Sequence, residues 1–390
     1  MTPDMPPEFA TVLRRRLVEQ LVDEDSLHDP DVRRAAAAVP RETFLGRAIY
    51  RPSDPPGVTV WTPVHRDTLP AEDWLRLVYE NTTWVTQIDG LLAEDAAIPV
   101  TGGTPTSSST LPGLILWMIE QAGTAPGKRT LIIGAGTGLS TAYVCEVTGE
   151  DNTIAVETDP AVAERARKAL AEAGYAPTLI TADGLRGYGD RAPYDVVLAF
   201  CSMRHIPYGL LRQVKDGGSL LVTLAGWGFG HGLVRLTADG VGSATGRFLP
   251  GYTSFMMARS HDRPSHGSLE LLPGDERQSR IDPASLDDWV GRFVAQLAAP
   301  SAERLGAGGE QVLLDVATGS QAWTRPTEGG DGWTVIQRGP IKLWDAVEDS
   351  VALWRSHGSP HLSEFGITIT PDAQRVWLGM SDGPSWALPV

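Results

Sequence analysis

Cysteine is nearly absent: two residues among 390, Cys145 and Cys201, with neither a CxxC pair nor a His-rich spacing. Disulfide frameworks and thiolate metal sites need clustered, regularly spaced cysteines, so both are expected to be core thiols and no structural metal is expected. Positive charge is scarce too. With 33 Lys and Arg against 48 Asp and Glu, the formal charge is −15. Phosphate backbones repel such a balance unless a local basic patch intervenes, so nucleic acid is not expected as a partner. No run reaches the ~18 apolar residues of a membrane span, and the opening MTPDMPPEFA has no basic segment leading into an apolar run. A cytoplasmic protein without a membrane partner is therefore expected. Internal repeats and low-complexity tracts are absent as well.

What is present describes a folded chain. The apolar fraction of 42%, the charged fraction of 21% and 12 tryptophans exclude disorder, and 390 residues are more than one ordinary domain uses. Phe9, Val12, Leu13, Leu17 and Leu21 fall on one helical face, with Arg14, Arg15 and Arg16 partly on the other. Asp29-Pro30 is a cap and first-turn pair for a second helix that runs through alanines to Pro40. Residues 51–106, rich in Pro, Thr and Asp, contain one helix-like stretch, Ala71–Glu80, and read as an excursion before the core. Strands are then predicted at Thr130–Ile133, Thr153–Glu157, Thr178–Thr181, Asp195–Phe200 and Ser219–Leu224, alternating with helices such as Ala161–Ala173. That alternation implies an α/β fold with a doubly wound, mainly parallel sheet.

After residue 260 the rhythm ends in SHDRPSHGS, a polar linker-like segment. A smaller α+β module follows, with a helix at Pro283–Leu297 and strands at Gln311–Val316 and Trp333–Gln337. Its next helix, Leu343–His357, carries Trp344, Val347, Val351 and Trp354 on one face and has Gly358 at its end. A hairpin from FGITIT to RVWLGM closes it. The expected boundaries are 1–260 (helices 1–50, excursion 51–106, core 107–260) and 268–390.

The stretch TLIIGAGTGLS, 130–140, reads as a strand, a glycine turn and a helix start, followed by Glu157 at the end of the next predicted strand. Gly134, Gly136 and Gly138 allow a tight turn and close approach to a ligand, and Glu157 falls where ribose hydroxyls would lie. The spacing is G-x-G-x-G, with Leu139 where a dinucleotide fingerprint wants its third glycine. This favours S-adenosylmethionine over NAD.

Several motifs stand in one order: VPRETF at 39–44, TSSSTLP at 106–112, the glycine loop, Glu157, Asp183-Gly184 with Gly187, PYD at 193–195 and IPYGLL at 206–211. Over roughly residues 5–225 the chain resembles the protein-L-isoaspartate O-methyltransferase family. The resemblance implies a Rossmann-like class I methyltransferase sheet preceded by helices, S-adenosyl-L-methionine as cofactor, S-adenosyl-L-homocysteine as product and a peptide as substrate. It also implies site residues. Thr110, two before Pro112, takes the place of the hydroxyl beside the reacting carboxylate, with Ser109 next to it. Ser107, Ser108, Gly134, Ala135, Gly136, Thr137 and Gly138 fall around the methionine part, Glu157 and Thr158 at the ribose, and Asp183 and Gly184 at the adenine.

Simpler roles stand beside these: Ser109 or Thr110 as a helix cap, Glu157 as a cap of the following helix, Asp183 as a turn residue. His65, His205 and His231 are expected to be ordinary loop residues, because an Asp carboxylate with a pKa of roughly 4 needs no base. Three departures from the family stand out: Ile132 where an acid is usual, Gly113 and Leu114 where a histidine follows the proline, and Thr110 in place of serine.

The C-terminal remainder resembles, through FGITITPDAQRVWL and the final tryptophan segment, the extension of an actinobacterial branch that modifies ribosomally made peptides. That resemblance implies methylation of an aspartate in a pre-cyclised peptide, the ester closing to an aspartimide, with the Trp-rich faces either helping to hold the peptide or serving in packing alone. Repair of isoaspartyl residues in damaged proteins is the alternative, and a silent cofactor-binding scaffold is a third.

Overall fold

The computed structural model describes residues 7–55, 57–265 and 270–389. The end of the predicted linker and the boundary at 268 lie outside them. The chain divides into two compact units, one up to Phe200 together with Gln213–Leu221, the other Cys201–Arg212 with the chain from Val222 onward.

The first unit opens with α1 (Pro7–Asp23), α2 (Pro30–Ala38) and α3 (Arg41–Leu45). Leu13, Leu17 and Leu21 of α1 are buried, whereas Val12, expected on that face, is 40% exposed. The Asp29 carboxylate accepts from Asp31 N and Val32 N to start α2, and Val39 ends it before Pro40. Residues 51–106 are more ordered than their composition suggested. They complete an antiparallel sheet of β1 (Ala48–Ser53), β2 (Val60–His65), β3 (Trp84–Ile88), β4 (Leu91–Leu92), β5 (Val100–Thr101) and β6 (Pro105–Ser109), in the order β4-β3-β1-β2-β5 with β6 on β3. Helix α4 (Ala71–Val78) interrupts it. Pro52 and Pro63 sit inside paired strands, and strands of two to six residues carry no readable alternation, which is why composition concealed this sheet.

Helix α5 (Pro112–Gln121) leads into the parallel sheet: β7 (Thr130–Ile133), α6 (Leu139–Thr148), β8 (Thr153–Glu157), α7 (Pro160–Glu172), β9 (Thr178–Thr181) and β10 (Tyr194–Met203). The order β10-β7-β8-β9 is parallel throughout. Every residue of β7 and β8 is buried, as a sheet covered on both faces requires. Cys145 in α6 is buried, and burial pushes its thiol up to about 12. Cys201 is only half-buried, so it is less of a core thiol than expected.

Helix α8 (Tyr208–Leu211) and the start of β11 (Val214–Ala225) follow. The division between units falls inside β10 and β11, not near residue 260. The second unit contains β12 (His231–Asp239) and β13 (Ala244–Phe248), which the sequence reading assigned to the cofactor-binding core. It goes on through β14 (Asp275–Gln278), α9 (Trp289–Ala298), β15 (Ala302–Ala307), β16 (Glu310–Asp315), β17 (Gln321–Pro326), β18 (Trp333–Arg338), α10 (Leu343–Ser356), β19 (Phe365–Ile369), β20 (Gln374–Leu378) and β21 (Ser385–Ala387). The difference has a physical cause. β13 pairs antiparallel with β19, Ala244 opposite Ile369, so 222–260 is stabilised by partners far along the chain that local composition does not reveal. Strands β14 to β18 form a separate antiparallel sheet in the order β14-β18-β17-β16-β15.

Phe293 of α9 meets Phe248 and Phe365 edge-on at 5.1 and 5.9 Å between ring centroids. Of the two roles considered for the tryptophans, the packing one matches what is seen, since they are core residues. Trp344, Trp354, Trp377 and Trp386 are all buried, and each indole N–H is spent internally, on Ser279 Oγ, Pro360 O, Thr368 Oγ1 and Ser350 Oγ.

Candidate active site

The site residues named from sequence all lie in the first unit, around the C-terminal ends of its parallel strands. At the end of β7, Gly134, Gly136 and Gly138 have φ of +83, +55 and +91°, conformations that L side chains rarely adopt. Gly134 N donates to Val156 O at 2.9 Å, and Gly138 N to Ala135 O at 2.9 Å, closing the turn that starts α6. Ala135 and Thr137 are buried within it. Ile132 is wholly buried in β7, so the usual acid has no polar substitute at that position.

The serine loop meets this turn. A β-carbon at Gly136 would stand 3.5 Å from the Ser108 carbonyl oxygen, so the two segments meet at these two residues. β6 pairs with β3, Ser109 opposite Trp84 and Ser108 opposite Val85. The Ser107 hydroxyl accepts from Thr86 Oγ1 at 3.3 Å, whereas Ser109 Oγ is buried with no partner among the described residues. Thr110 is half-buried at the end of the strand.

Neither Ser109 nor Thr110 caps α5, whose capping position is Leu111 without a side-chain bond. The caps come from a segment that sequence reasoning missed: Leu111 N donates to Thr83 Oγ1 at 3.0 Å and Gly113 N to Asn81 Oδ1 at 2.9 Å. The hydroxyls of 109 and 110 are thereby released from helix capping.

Glu157, buried at the end of β8, accepts from Gly136 N at 2.9 Å through Oε2 and from Asp159 N at 3.1 Å through Oε1. It does not cap α7; Asp159 does, accepting from Ala161 N and Val162 N. A carboxylate offers about four acceptor sites, so two further hydroxyl donors such as those of a ribose fit Glu157. Thr158 is exposed beside it. Asp183 is half-buried and accepts from Leu185 N at 3.0 Å, the turn role considered for it. Gly184 packs on β7, where a β-carbon would stand 2.6 Å from Ile133 Cγ2. Positive-φ glycines, a buried acid with acceptor capacity and an unsatisfied buried hydroxyl together fit an adenosyl ligand.

A second group missed in the sequence ties the strands together. Gln87, buried, donates to Asp159 Oδ2 at 3.2 Å and accepts from Thr106 Oγ1 at 2.8 Å. No motif marks it, because its partners are distant in sequence.

The histidines are not all loop residues, since His65 ends β2 and His231 opens β12. His65 Nε2 lies 3.0 Å from Ala96 O. His205 and His231 belong to the second unit. Burial, with Arg292 nearby, pushes His231 down to about 4, and burial with Arg204 lowers His205.

A parallel sheet carrying a glycine-rich turn after its first strand and a buried acid at the end of its second defines a class I methyltransferase dependent on S-adenosylmethionine. Residues 80–228 match the family described as Protein-L-isoaspartate(D-aspartate) O-methyltransferase (PCMT). The protein-L-isoaspartate O-methyltransferase of Hyperthermus butylicus is 30% identical over 227 residues, covering 56% of this chain and 77% of its own. Protein-L-isoaspartate O-methyltransferase 1 of Rhodopseudomonas palustris is 29% identical over 264 residues, 65% of this chain and 90% of its own. A solved protein-L-isoaspartate O-methyltransferase structure shares the fold over 94% of this chain and 100% of its own, with a TM-score of 0.54 at 18% identity. The chain belongs to the protein-L-isoaspartate O-methyltransferase family, whose members are S-adenosylmethionine-dependent carboxyl O-methyltransferases.

Proposed function

We propose that this enzyme methylates a carboxylate derived from aspartate in a protein or peptide, and that an L-isoaspartyl residue is the acceptor. The observation that carries this reading is the approach of the Ser108 carbonyl to Gly136, where the serine segment meets the glycine turn, and the reading sets Thr110, two residues on, beside the cofactor. The choice of isoaspartate is supported by the names of the relatives. When bound, S-adenosylmethionine supplies an electrophilic methyl on a positively charged sulfur. The chain's own residues orient and desolvate. Thr110 donates a hydrogen bond to one acceptor oxygen and leaves the other aligned for in-line attack. Glu157 and Asp183 hold the adenosyl part, and Gly136 allows the close approach. Since the acceptor is already ionised near pH 7, positioning supplies the rate, an effect worth on the order of 7–11 kcal/mol in well-oriented systems. In the ester, the next amide nitrogen attacks the carbonyl, its proton leaves with methoxide as methanol, and a five-membered succinimide closes for water to open.

A second reading keeps the chemistry and changes the acceptor to an aspartate of a pre-cyclised, ribosomally made peptide, the ester closing to a stable aspartimide. Two departures favour it: Thr110 for serine, and Gly113-Leu114 without the histidine. The FGITITPDAQRVWL segment, folded as the β19–β20 hairpin, carries the same resemblance. The C-terminal extension by itself does not separate the readings, because the solved structure of the family aligns over 94% of this chain.

Mass spectrometry after incubation with S-adenosylmethionine decides between them, using an isoaspartyl peptide, its aspartyl twin and a cyclised precursor peptide from the same genome. One methyl gained on the isoaspartyl peptide alone is the result expected. A methyl, or a net loss of water, on the cyclised peptide alone selects the second reading.

A further inference from the structure

The turn between α4 and β3 carries no cofactor motif, yet it is heavily bonded on both sides. Arg41 of the VPRETF motif is completely buried and spends its guanidinium on that turn, donating to the carbonyls of Val78 (2.6 Å), Glu80 (2.6 Å) and Thr82 (2.8 Å). A planar fork can satisfy three carbonyls at once, whereas a lysine ammonium could not hold that geometry. Between and beyond those carbonyls stand Asn81 and Thr83. Asn81 Oδ1 takes the Gly113 N–H and Thr83 Oγ1 takes the Leu111 N–H, the amides on either side of Pro112.

Leu111 is bonded directly to Thr110, so fixing its N–H fixes the peptide plane that carries the Thr110 carbonyl. The fit at Gly113 is equally specific. A β-carbon there would come within 3.0 Å of both the Oδ1 and Nδ2 of Asn81 and 2.9 Å of Leu21 Cδ2. Gly113 is one of the positions where the chain departs from its family, and Asn81 occupies the space that a side chain at 113 would need.

We infer that Asn81 and Thr83 are positioning residues for methyl transfer, setting Thr110 from outside the cofactor site by capping α5 in trans. The inference rests on the assignment of Thr110 to the acceptor carboxylate made above. Neither residue touches the cofactor-binding turn in the bonds described, so losing either moves the acceptor side of the site and leaves the cofactor side in place. Misplacement of about 1 Å at a reacting group can cost up to a hundredfold in rate.

The test measures kcat on whichever acceptor turns over, and the dissociation constant of S-adenosylhomocysteine by calorimetry, for Thr83→Val, Asn81→Ala, Thr110→Ala and the double variant Thr83→Val/Thr110→Ala. Thr83→Val and Asn81→Ala should each lower kcat about tenfold and leave the dissociation constant within about twofold. Thr83→Ser and Asn81→Asp, which keep the accepting oxygen, should restore most of kcat. The double variant should be no slower than Thr110→Ala, because both changes act through one hydroxyl. Wild-type kcat in both single variants, parallel loss of turnover and product affinity, or a multiplied loss in the double variant would overturn the inference. If Thr110→Ala itself keeps wild-type kcat, the Thr110 assignment has failed. If Thr110→Ala is impaired and the two capping variants are not, only the positioning role has failed.

Discussion

At the scale of single residues, the proposed site has an acceptor side, carried by one hydroxyl, and a cofactor side, carried by carboxylates. Thr110→Ala should therefore lower kcat at least tenfold with little change in cofactor affinity, and Thr110→Ser should retain activity. Glu157→Ala should act the other way. Hydrogen bonds to a charged group are worth about 1.5–3 kcal/mol, so cofactor affinity should fall roughly 10- to 100-fold in calorimetry. No histidine is needed as base, and His231, pushed down to about 4 by burial and Arg292, is already neutral at pH 7. The turnover number should accordingly be flat between about pH 6 and 8, since the acceptor carboxylate titrates at roughly 4; a rate that rises through the histidine range would contradict this. The glycine turn and the acid that ends β8 were legible because glycine spacing and a strand-ending acid are local patterns. Asn81, Thr83 and Gln87 were not, because their partners at 111, 113 and 159 lie far along the chain.

Among elements, β7 and β8 were readable to the residue, because strands buried on both faces are continuous apolar runs with glycine or acid at their ends; the half-buried edge strand β9 was read to the same bounds from its TLIT run. The helix predicted over 283–297 was less so. It begins as a 3-10 turn at Pro283–Leu286, and Asp288 then caps α9 afresh by accepting from Val290 N and Gly291 N. Packing of the turn after β9 against β7 makes a sharper prediction. Since a β-carbon at Gly184 would stand 2.6 Å from Ile133 Cγ2, Gly184→Ala should destabilise the protein by about 1–3 kcal/mol, visible as a lower melting temperature, and weaken cofactor binding with it. Unchanged melting would mean that Ile133 yields freely.

For the whole molecule, the second unit depends on an ion cluster that no motif announced. Glu348, fully buried on α10, accepts from Arg277 Nη2 (2.8 Å), Arg280 Nε (2.7 Å), Arg280 N (2.7 Å) and Ser279 Oγ (3.0 Å). Burial alone would raise its pKa, but these bonds outweigh it and hold the carboxyl below its ordinary value. Its contribution is thus present above the unfolded carboxyl range and lost as pH falls through the lowered folded value. His231, lowered from 6.5, is stabilising when neutral, and that contribution is lost as pH falls from about 6.5 toward 4. Chemical denaturation of the full chain should show stability declining on acidification in both windows. Glu348→Gln should cost about 1.5–3 kcal/mol at pH 7, because it removes the charged acceptor of these bonds while Arg277 keeps Asp345 and Arg280 keeps Asp349. Among the described residues no helix is long and apolar enough to cross a membrane.

Carboxyl methylation itself is tested most directly by the lability of the transferred methyl. After reaction of an isoaspartyl peptide with methyl-labelled S-adenosylmethionine, mild base should release the label as volatile methanol, because an ester hydrolyses where N- and S-methyl groups do not. Label that stays on the peptide through base treatment would contradict the assignment of a carboxylate as the acceptor.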